Sequence, residues 1–233
     1  MQSLPKRLRS TVVVSPGRVL VAADYSSADF RPAAAMSGDI ELVELFNRGQ
    51  DPYREIGTLA GPAARGRERE VGKLTALAAL YGASAWSLQS KTGLPAAAVE
   101  TMVKGYMNRF PTLWRWREVQ IQRMRTGRGI RNPWGRVLMP ETESETINHL
   151  CQSAAADLVK TAMLRLQDEL PRGAVLVAQI HDELLVECGE DDAEDVANIM
   201  RVEMTRPVPQ LPVALAVKIG VGRSWAEATQ AQR

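Results

Sequence analysis

Cysteine is scarce: the 233 residues hold only two, Cys151 and Cys188. Two such distant thiols cannot build a secreted disulfide framework, and they lack the paired spacing of a zinc site. Both read as ordinary small apolar residues. No apolar run approaches the roughly 20 residues that a membrane span needs, and the one after the N-terminal basic residues is too short for a signal peptide. The expected setting is therefore reducing and cytoplasmic, with no membrane partner. An excess of one charge is lacking too. Lys and Arg total 29 against 27 Asp and Glu, so a net charge of +2 is no strong argument for nucleic acid. Repeats, low-complexity tracts and flexible linkers are absent. That predicts one continuous unit carrying a helical insertion, with ample core for independent folding.

What is present is an uneven distribution of charge. Lys6, Arg7 and Arg9 cluster at the start, Arg65, Arg67, Arg69 and Lys73 follow, and Arg109 to Arg136 is a long basic region. Acid gathers late, in Glu187–Glu194. Such asymmetry fits a polyanion lying along one face, or simply a solvated surface. The most informative stretch is Ala174 to Glu187, AVLVAQIHDELLVE. Apolar runs Val175–Ile180 and Leu184–Val186 flank His181, Asp182 and Glu183, which reads as two buried strands joined by a tight turn. The turn is either a solvated tip or a rigid strand end presenting carboxylates.

Thr11–Val14 and Val19–Ala23, separated by Ser15-Pro16-Gly17, predict a hairpin whose second strand ends at Asp24. Pro32 with Ala33–Met36 opens a helix, and Gly38–Arg48 is a second one stopped by Gly49. Residues 68–82 should be helical with Gly82 as C-cap. Arg69, Lys73, Leu77 and Tyr81 recur every four residues on it, forming a slowly drifting stripe; the commoner meaning of such a stripe is a half-buried helix with its basic end in water. Gly66 to Lys73 is no P-loop, because the glycines are one residue too far apart and Leu74 stands where Ser or Thr should hold magnesium. Ala96–Phe110 and Thr112–Thr126, with Pro111 at N1, are two more helices. Trp114 and Trp116 lie among arginines there, and tryptophans on a helix belong more often to a core than to a single-strand stacking platform. Arg131–Met139 reads as a hairpin, Thr146–Leu170 and Glu190–Met204 as helices, and Val213–Ile219 as a last strand.

Two strand ends bearing Asp24 and Asp182 could meet in one sheet. Unpaired carboxylates so close repel, and one would retain a proton. Divalent cations remove the conflict, since Mg²⁺ binds one or two carboxylates together with substrate phosphates. A pair of such ions can stabilise both oxygens of an in-line phosphoryl displacement. A helix offering Arg69 and Lys73 to the same place would grip a triphosphate. Acid for metals and base for phosphates describe a nucleotidyl transferase.

The same residues resemble family A DNA polymerases of the bacterial repair type. Asp24-Tyr25-Ser26-(x)2-Asp29-Phe30-Arg31, Arg69-(x)3-Lys73-(x)7-Tyr81-Gly82 and Gln179-Ile180-His181-Asp182-Glu183 are similar to the family's three ordered motifs. Met1-Gln2-Ser3-Leu4-Pro5 resembles its LQNIP-like segment, Ile147-Asn148-(x)3-Gln152-(x)4-Asp157 the helix before the third motif, and Gly222-Arg223-Ser224-Trp225 its C-terminal ending. Each alone is weak; six in order along nearly the whole chain are specific. The resemblance implies an α+β fold: a palm, meaning an antiparallel sheet with helices, over 1–37 and 128–233, with a mostly helical fingers insertion over 38–127. It implies Asp24, Asp182 and the Tyr25 backbone carbonyl as ligands of two Mg²⁺ ions, or of Mn²⁺ in their place, with Glu183 as a non-obligatory accessory carboxylate. Arg69 and Lys73 would hold the dNTP triphosphate, Lys73 also stabilising the leaving pyrophosphate. Leu77, Tyr81 and Asp29 would border the nucleotide. Arg7 or Arg9, Asn148, Gln152, Gln179 and His181 would contact primer-template DNA. His149 reads as structural.

The chain also departs from the family. Asp29 replaces a glutamate that helps exclude a ribose 2′-hydroxyl, partly through a bond to the tyrosine matched by Tyr81. Leu77 replaces an aromatic residue near the sugar, and Ser144 stands where a DNA-contacting arginine is expected. The thumb that grips duplex precedes the matched region, so synthesis by this chain is expected to be weak, salt-sensitive and poorly processive unless a second protein chain supplies the grip. Beside a DNA polymerase stand two rivals: an RNA-making or rNTP-accepting relative, disfavoured by HDE in place of HDS, and a catalytically weak DNA-binding or replisome-interacting module.

Overall fold

The computed structural model describes residues 4–232; the first part of the LQNIP-like segment, Met1–Ser3, lies outside them. The chain divides into two compact units. One comprises residues 1–28, 155–207 and 215–233, and the other residues 29–154 and 208–214. Among the described residues no helix is long and apolar enough to cross a membrane.

The first unit is built on a four-stranded sheet. Its strands β1 (Arg18–Tyr25), β4 (Val175–Ile180), β5 (Glu183–Gly189) and β6 (Val217–Gly222) lie in the order β4-β5-β1-β6, every pair antiparallel. β1 is central and apolar on both sides, as a covered strand must be. Leu20, Ala22 and Leu185 face the C-terminal helix α10 (Trp225–Gln230) and pack on Trp225 and Ala228. The alternate set, Val19, Val21, Ala23 and Tyr25, lies on the face covered by helix α9 (Ala193–Thr205), where the Tyr25 hydroxyl donates to the Met204 carbonyl at 2.8 Å. Gly220 and Gly222 let α10 lie directly on β6. A Cβ at Gly220 would come 2.1 Å from the Ala228 carbonyl oxygen, and one at Gly222 2.4 Å from Glu227 Cβ.

The second unit is helical: α1 (Phe30–Ser37), α2 (Ile40–Asn47), α3 (Pro52–Thr58), α4 (Glu68–Leu80), α5 (Ala85–Thr92), α6 (Ala96–Arg109) and α7 (Pro111–Arg125), with a two-stranded hairpin β2 (Ile130–Arg131) and β3 (Val137–Leu138). Helix α8 (Glu143–Glu169) runs through the boundary of the two units. Aromatic packing fills the core. Phe30 stacks on Tyr53 with centroids 5.3 Å apart, and Phe46 and Tyr106 meet Phe30 edge-on. α3 and α4 touch backbone to backbone, for a Cβ at Gly72 would lie 1.8 Å from the Tyr53 carbonyl oxygen, so this glycine is a close-approach residue. Asp39, 3 % exposed, caps two helices at once: Oδ1 accepts from Leu42 N–H of α2 and Oδ2 from Thr112 and Leu113 N–H of α7.

Most expected elements form within a few residues of their expected bounds, with two corrections. Thr11–Val14 is no hairpin partner of β1. Lys6–Thr11 is a 3₁₀ turn, and Val13 instead bridges Ser224. The cause is competition, because β5 and β6 occupy both edges of β1 and leave none for a local strand. The last strand begins at Val217, not Val213, since its pairing with β1 spans only Tyr25 back to Leu20. Helices α3, α5 and α10 went unread although each has a capping side chain, Asp51, Ser84 and Ser224 respectively.

Asp39→Ala leaves three N–H groups at two helix starts without their acceptor. It should cost about 2–4 kcal/mol, read as a lower urea midpoint with unchanged m-value; a loss under about 0.5 kcal/mol would show that water replaces the carboxylate.

Candidate functional site

The ladder of β1 and β5 decides where the acidic residues lie. Asp24 is the register partner of Glu183, and the Tyr25 N–H donates to the Asp182 carbonyl at 3.2 Å. The two acidic strand ends therefore adjoin. Cross-strand partners share a face, so the register draws one row across the sheet end: Ile180, Glu183, Asp24 and Lys218. That row continues the face of Leu20 and Ala22, which is the α10 side. Sequence reading missed Lys218, because only the non-local pairing of β1 with β6 brings a cation beside Asp24. Asp24 and Asp182 are half-buried and Lys218 is exposed.

The β4–β5 turn is two residues long, and His181 holds φ 56°, where glycine is the relaxed choice. Gln179 steadies this geometry, its Nε2 donating to the His181 carbonyl at 2.8 Å. The imidazole itself is exposed. Tyr25 keeps a neutral hydroxyl, because burial pushes its pKa up and Arg165 only partly opposes. Glu183 differs from its neighbours: it is 5 % exposed, and its carboxylate accepts from Trp225 Nε1 at 3.0 Å, Gln232 Nε2 at 3.0 Å and Thr229 Oγ1 at 3.3 Å. Of the two early arginines, Arg9 is drawn into the same cluster, with its guanidinium 4.1 Å over the Trp225 ring, while Arg7 is exposed.

Among the described residues, no group of three or more His, Cys, Asp or Glu side chains forms a metal cage. Besides Glu183, the carboxylates of this sheet end are those of Asp24 and Asp182. Two carboxylates suit Mg²⁺, which fills its octahedron with water and phosphate oxygens, and they do not suit zinc.

In the helical unit, α4 carries Arg69, Lys73 and Leu77, with Tyr81 at its C-cap, and all four line one groove of ≈910 Å³. Arg54, Arg67 and Lys91 add further cations to its wall. Arg69 and Lys73 are exposed, while Leu77 and Tyr81 are half-buried. Arg69 Nε donates to Asp51 at 2.7 Å, which leaves its two amino groups for a ligand. Arg117 closes the far end of the helix, donating from Nε to the Leu80 carbonyl at 2.8 Å. The Tyr81 hydroxyl lies near Asp29 and Cys151 but has no hydrogen-bond partner among the described residues; burial first, then these neighbours, pushes its pKa up. Cys151 is buried, and burial raises its thiol pKa as well. On α8, Asn148 is half-buried and Gln152 exposed.

A family model described as DNA polymerase family A matches residues 1–227. The thermostable DNA polymerase I of Thermus filiformis is 33 % identical over 97 % of this chain, and the DNA polymerase I of Chloroflexus aurantiacus 30 % identical over 97 %. The chain spans 29 % and 27 % of those two relatives, under a third of their length. Among solved structures, the POL domain of Pol1 from M. smegmatis, in complex with DNA primer-template and dNTP, superposes with a TM-score of 0.83 at 27 % identity, covering 98 % of this chain and 45 % of that one.

Replacing His181 by glycine relieves the left-handed backbone, and His181→Gly should be neutral to about 1 kcal/mol more stable in thermal melts. A clear loss of stability would mean that the imidazole holds the turn.

Proposed function

This chain belongs to DNA polymerase family A, and on that premise we propose that it catalyses template-directed DNA synthesis. The oxygen of a primer 3′-hydroxyl attacks the α-phosphorus of a dNTP, the new O–P bond forms, and the bond to the bridging oxygen breaks to release pyrophosphate. The observation that carries this reading is the register of β1 on β5, which sets Asp24 beside the Asp182 turn. Asp24, Asp182 and the Tyr25 carbonyl would hold divalent cations. When bound, Mg²⁺ supplies the charge that steadies the attacking and leaving oxygens.

The chain's own groups do the rest. Arg69 and Lys73 grip the triphosphate by charge-assisted hydrogen bonds, and Lys73 offsets the charge that builds on pyrophosphate. Leu77 and Tyr81 give the base and sugar an apolar wall. Gln179 and His181 meet the primer end, and Arg7, Asn148 and Gln152 the duplex. Arg9, tied to Trp225 and Glu183, is the weaker candidate of the two early arginines. Residues 1–37 and 128–233, with the antiparallel sheet, take the role of palm, and the helices within 38–127 that of fingers. Salt-sensitive grip and the recruitment of a second chain to clamp duplex remain part of the same proposal.

One observation favours a looser choice of sugar. The Tyr81 hydroxyl lies near Asp29 and Cys151 but has no partner at hydrogen-bond geometry among the described residues, so the short Asp29 does not lock it in place. We therefore expect appreciable rNTP use.

Primer extension with Mg²⁺ and either dNTPs or rNTPs tests these points. Wild type should extend with dNTPs, and with rNTPs less than about 100-fold more slowly. Asp182→Ala should cost at least about 1,000-fold in rate. Extension that survives Asp182→Ala, or no extension by the wild type, overturns the proposal. Lys218→Glu exchanges the cation beside Asp24 for an anion and should lower half-saturating Mn²⁺ about fivefold in paramagnetic-resonance titrations; an unchanged value removes Lys218 from the site.

A further inference from the structure

Glu183 adjoins Asp182 in sequence and Asp24 in register, yet its carboxylate is engaged elsewhere. Oε2 accepts from Trp225 Nε1 at 3.0 Å and lies 3.6 Å from Arg9 Nη1. Oε1 accepts from Gln232 Nε2 at 3.0 Å and Thr229 Oγ1 at 3.3 Å. A carboxylate offers about four lone-pair sites; hydrogen bonds take three, and the Arg9 guanidinium stands against Oε2 beside the fourth. A metal ion could take one of them only by displacing the Arg9 guanidinium or by breaking a buried, charge-assisted hydrogen bond. Every partner except Arg9 belongs to α10 or the residues just after it, and Arg9 rests on Trp225 of that helix. The helix in turn sits on β6 through Gly220 and Gly222, which leave no space between the two backbones.

We propose that Glu183 is a positioning residue and no metal ligand: it ties the Asp182 turn to α10, so the C-terminal helix sets the spacing of Asp182 from Asp24. The proposal deepens the polymerase reading and rests on it. The residue across from Asp24 is thus fixed from below the sheet by three donors and a guanidinium. Loosening any of them lets the turn drift, which costs rate and cation binding before it costs the fold.

The test is a double-mutant cycle. Trp225→Phe keeps the ring under Arg9 and removes only the N–H donor, and Glu183→Gln keeps the shape and removes the charge. If either folds poorly, the outer pair Thr229→Val with Gln232→Leu probes Oε1 at the helix end. Single-turnover extension rate, dNTP KM, Mn²⁺ affinity by paramagnetic resonance without nucleotide, and the thermal midpoint are measured for each. Each single variant should lose about tenfold in rate, with dNTP KM within about twofold and Mn²⁺ affinity weakened severalfold. The double variant should be no slower than the worse single. Rates equal to wild type below the melting range, with only the midpoint lowered, would leave Glu183 a purely structural residue and overturn the proposal; so would additive losses. If the wild-type chain extends no primer, the polymerase reading fails, and the Mn²⁺ affinities still decide whether Glu183 positions the carboxylates.

Discussion

The account depends on one alignment of backbone, the antiparallel register in which Asp24 stands opposite Glu183. A slip of one residue would send Asp24 to the α9 face, among Val21, Ala23 and Tyr25, and dissolve the acidic strand end. The register resists such a slip from both sides. Leu20, Ala22 and Leu185 bury against Trp225 and Ala228, while Tyr25 reaches the Met204 carbonyl on the other face. Chemistry at the sheet end is therefore fixed by ordinary apolar packing along the strands.

The helical unit meets a different demand, that of keeping cations available to a ligand. α4 cannot drift, because Gly72 locks it to α3, Arg117 closes its C-terminus and Asp51 holds the Arg69 Nε. Its exposed side keeps Lys73 and the Arg69 amino groups in the groove. The Tyr81 hydroxyl shares its lack of a hydrogen-bond partner among the described residues with Thr75 Oγ1 and Trp114 Nε1 of the same unit, and of the three it is the one on the groove.

Local patterns were legible in the sequence wherever a signal was itself local. The apolar runs around His181-Asp182-Glu183 gave β4 to the residue and the middle of β5, which runs on to Gly189, and Pro111 gave the start of α7. The ends of the apolar runs singled out Asp24 and Asp182, and the three ordered motifs of the family resemblance gave them their expected roles. Non-local facts stayed hidden. Thr11–Val14 looks like a strand, but the edges of β1 were already taken by segments more than 150 residues away. Lys218 and the partners of Glu183 emerge only from pairing and from the docking of α10. That short helix was overlooked because Ser224 and Glu227, its capping pair, follow a glycine-rich strand that reads as a tail.

The central claim is that Asp24 and Asp182 act as one site for divalent cation. Mn²⁺ binding followed by paramagnetic resonance for Asp24→Ala, Asp182→Ala and the double variant tests it most directly. The account predicts that either substitution alone removes nearly all tight binding, with nothing further lost in the double. Independent, additive losses would mean that the two carboxylates never share an ion, and would contradict it.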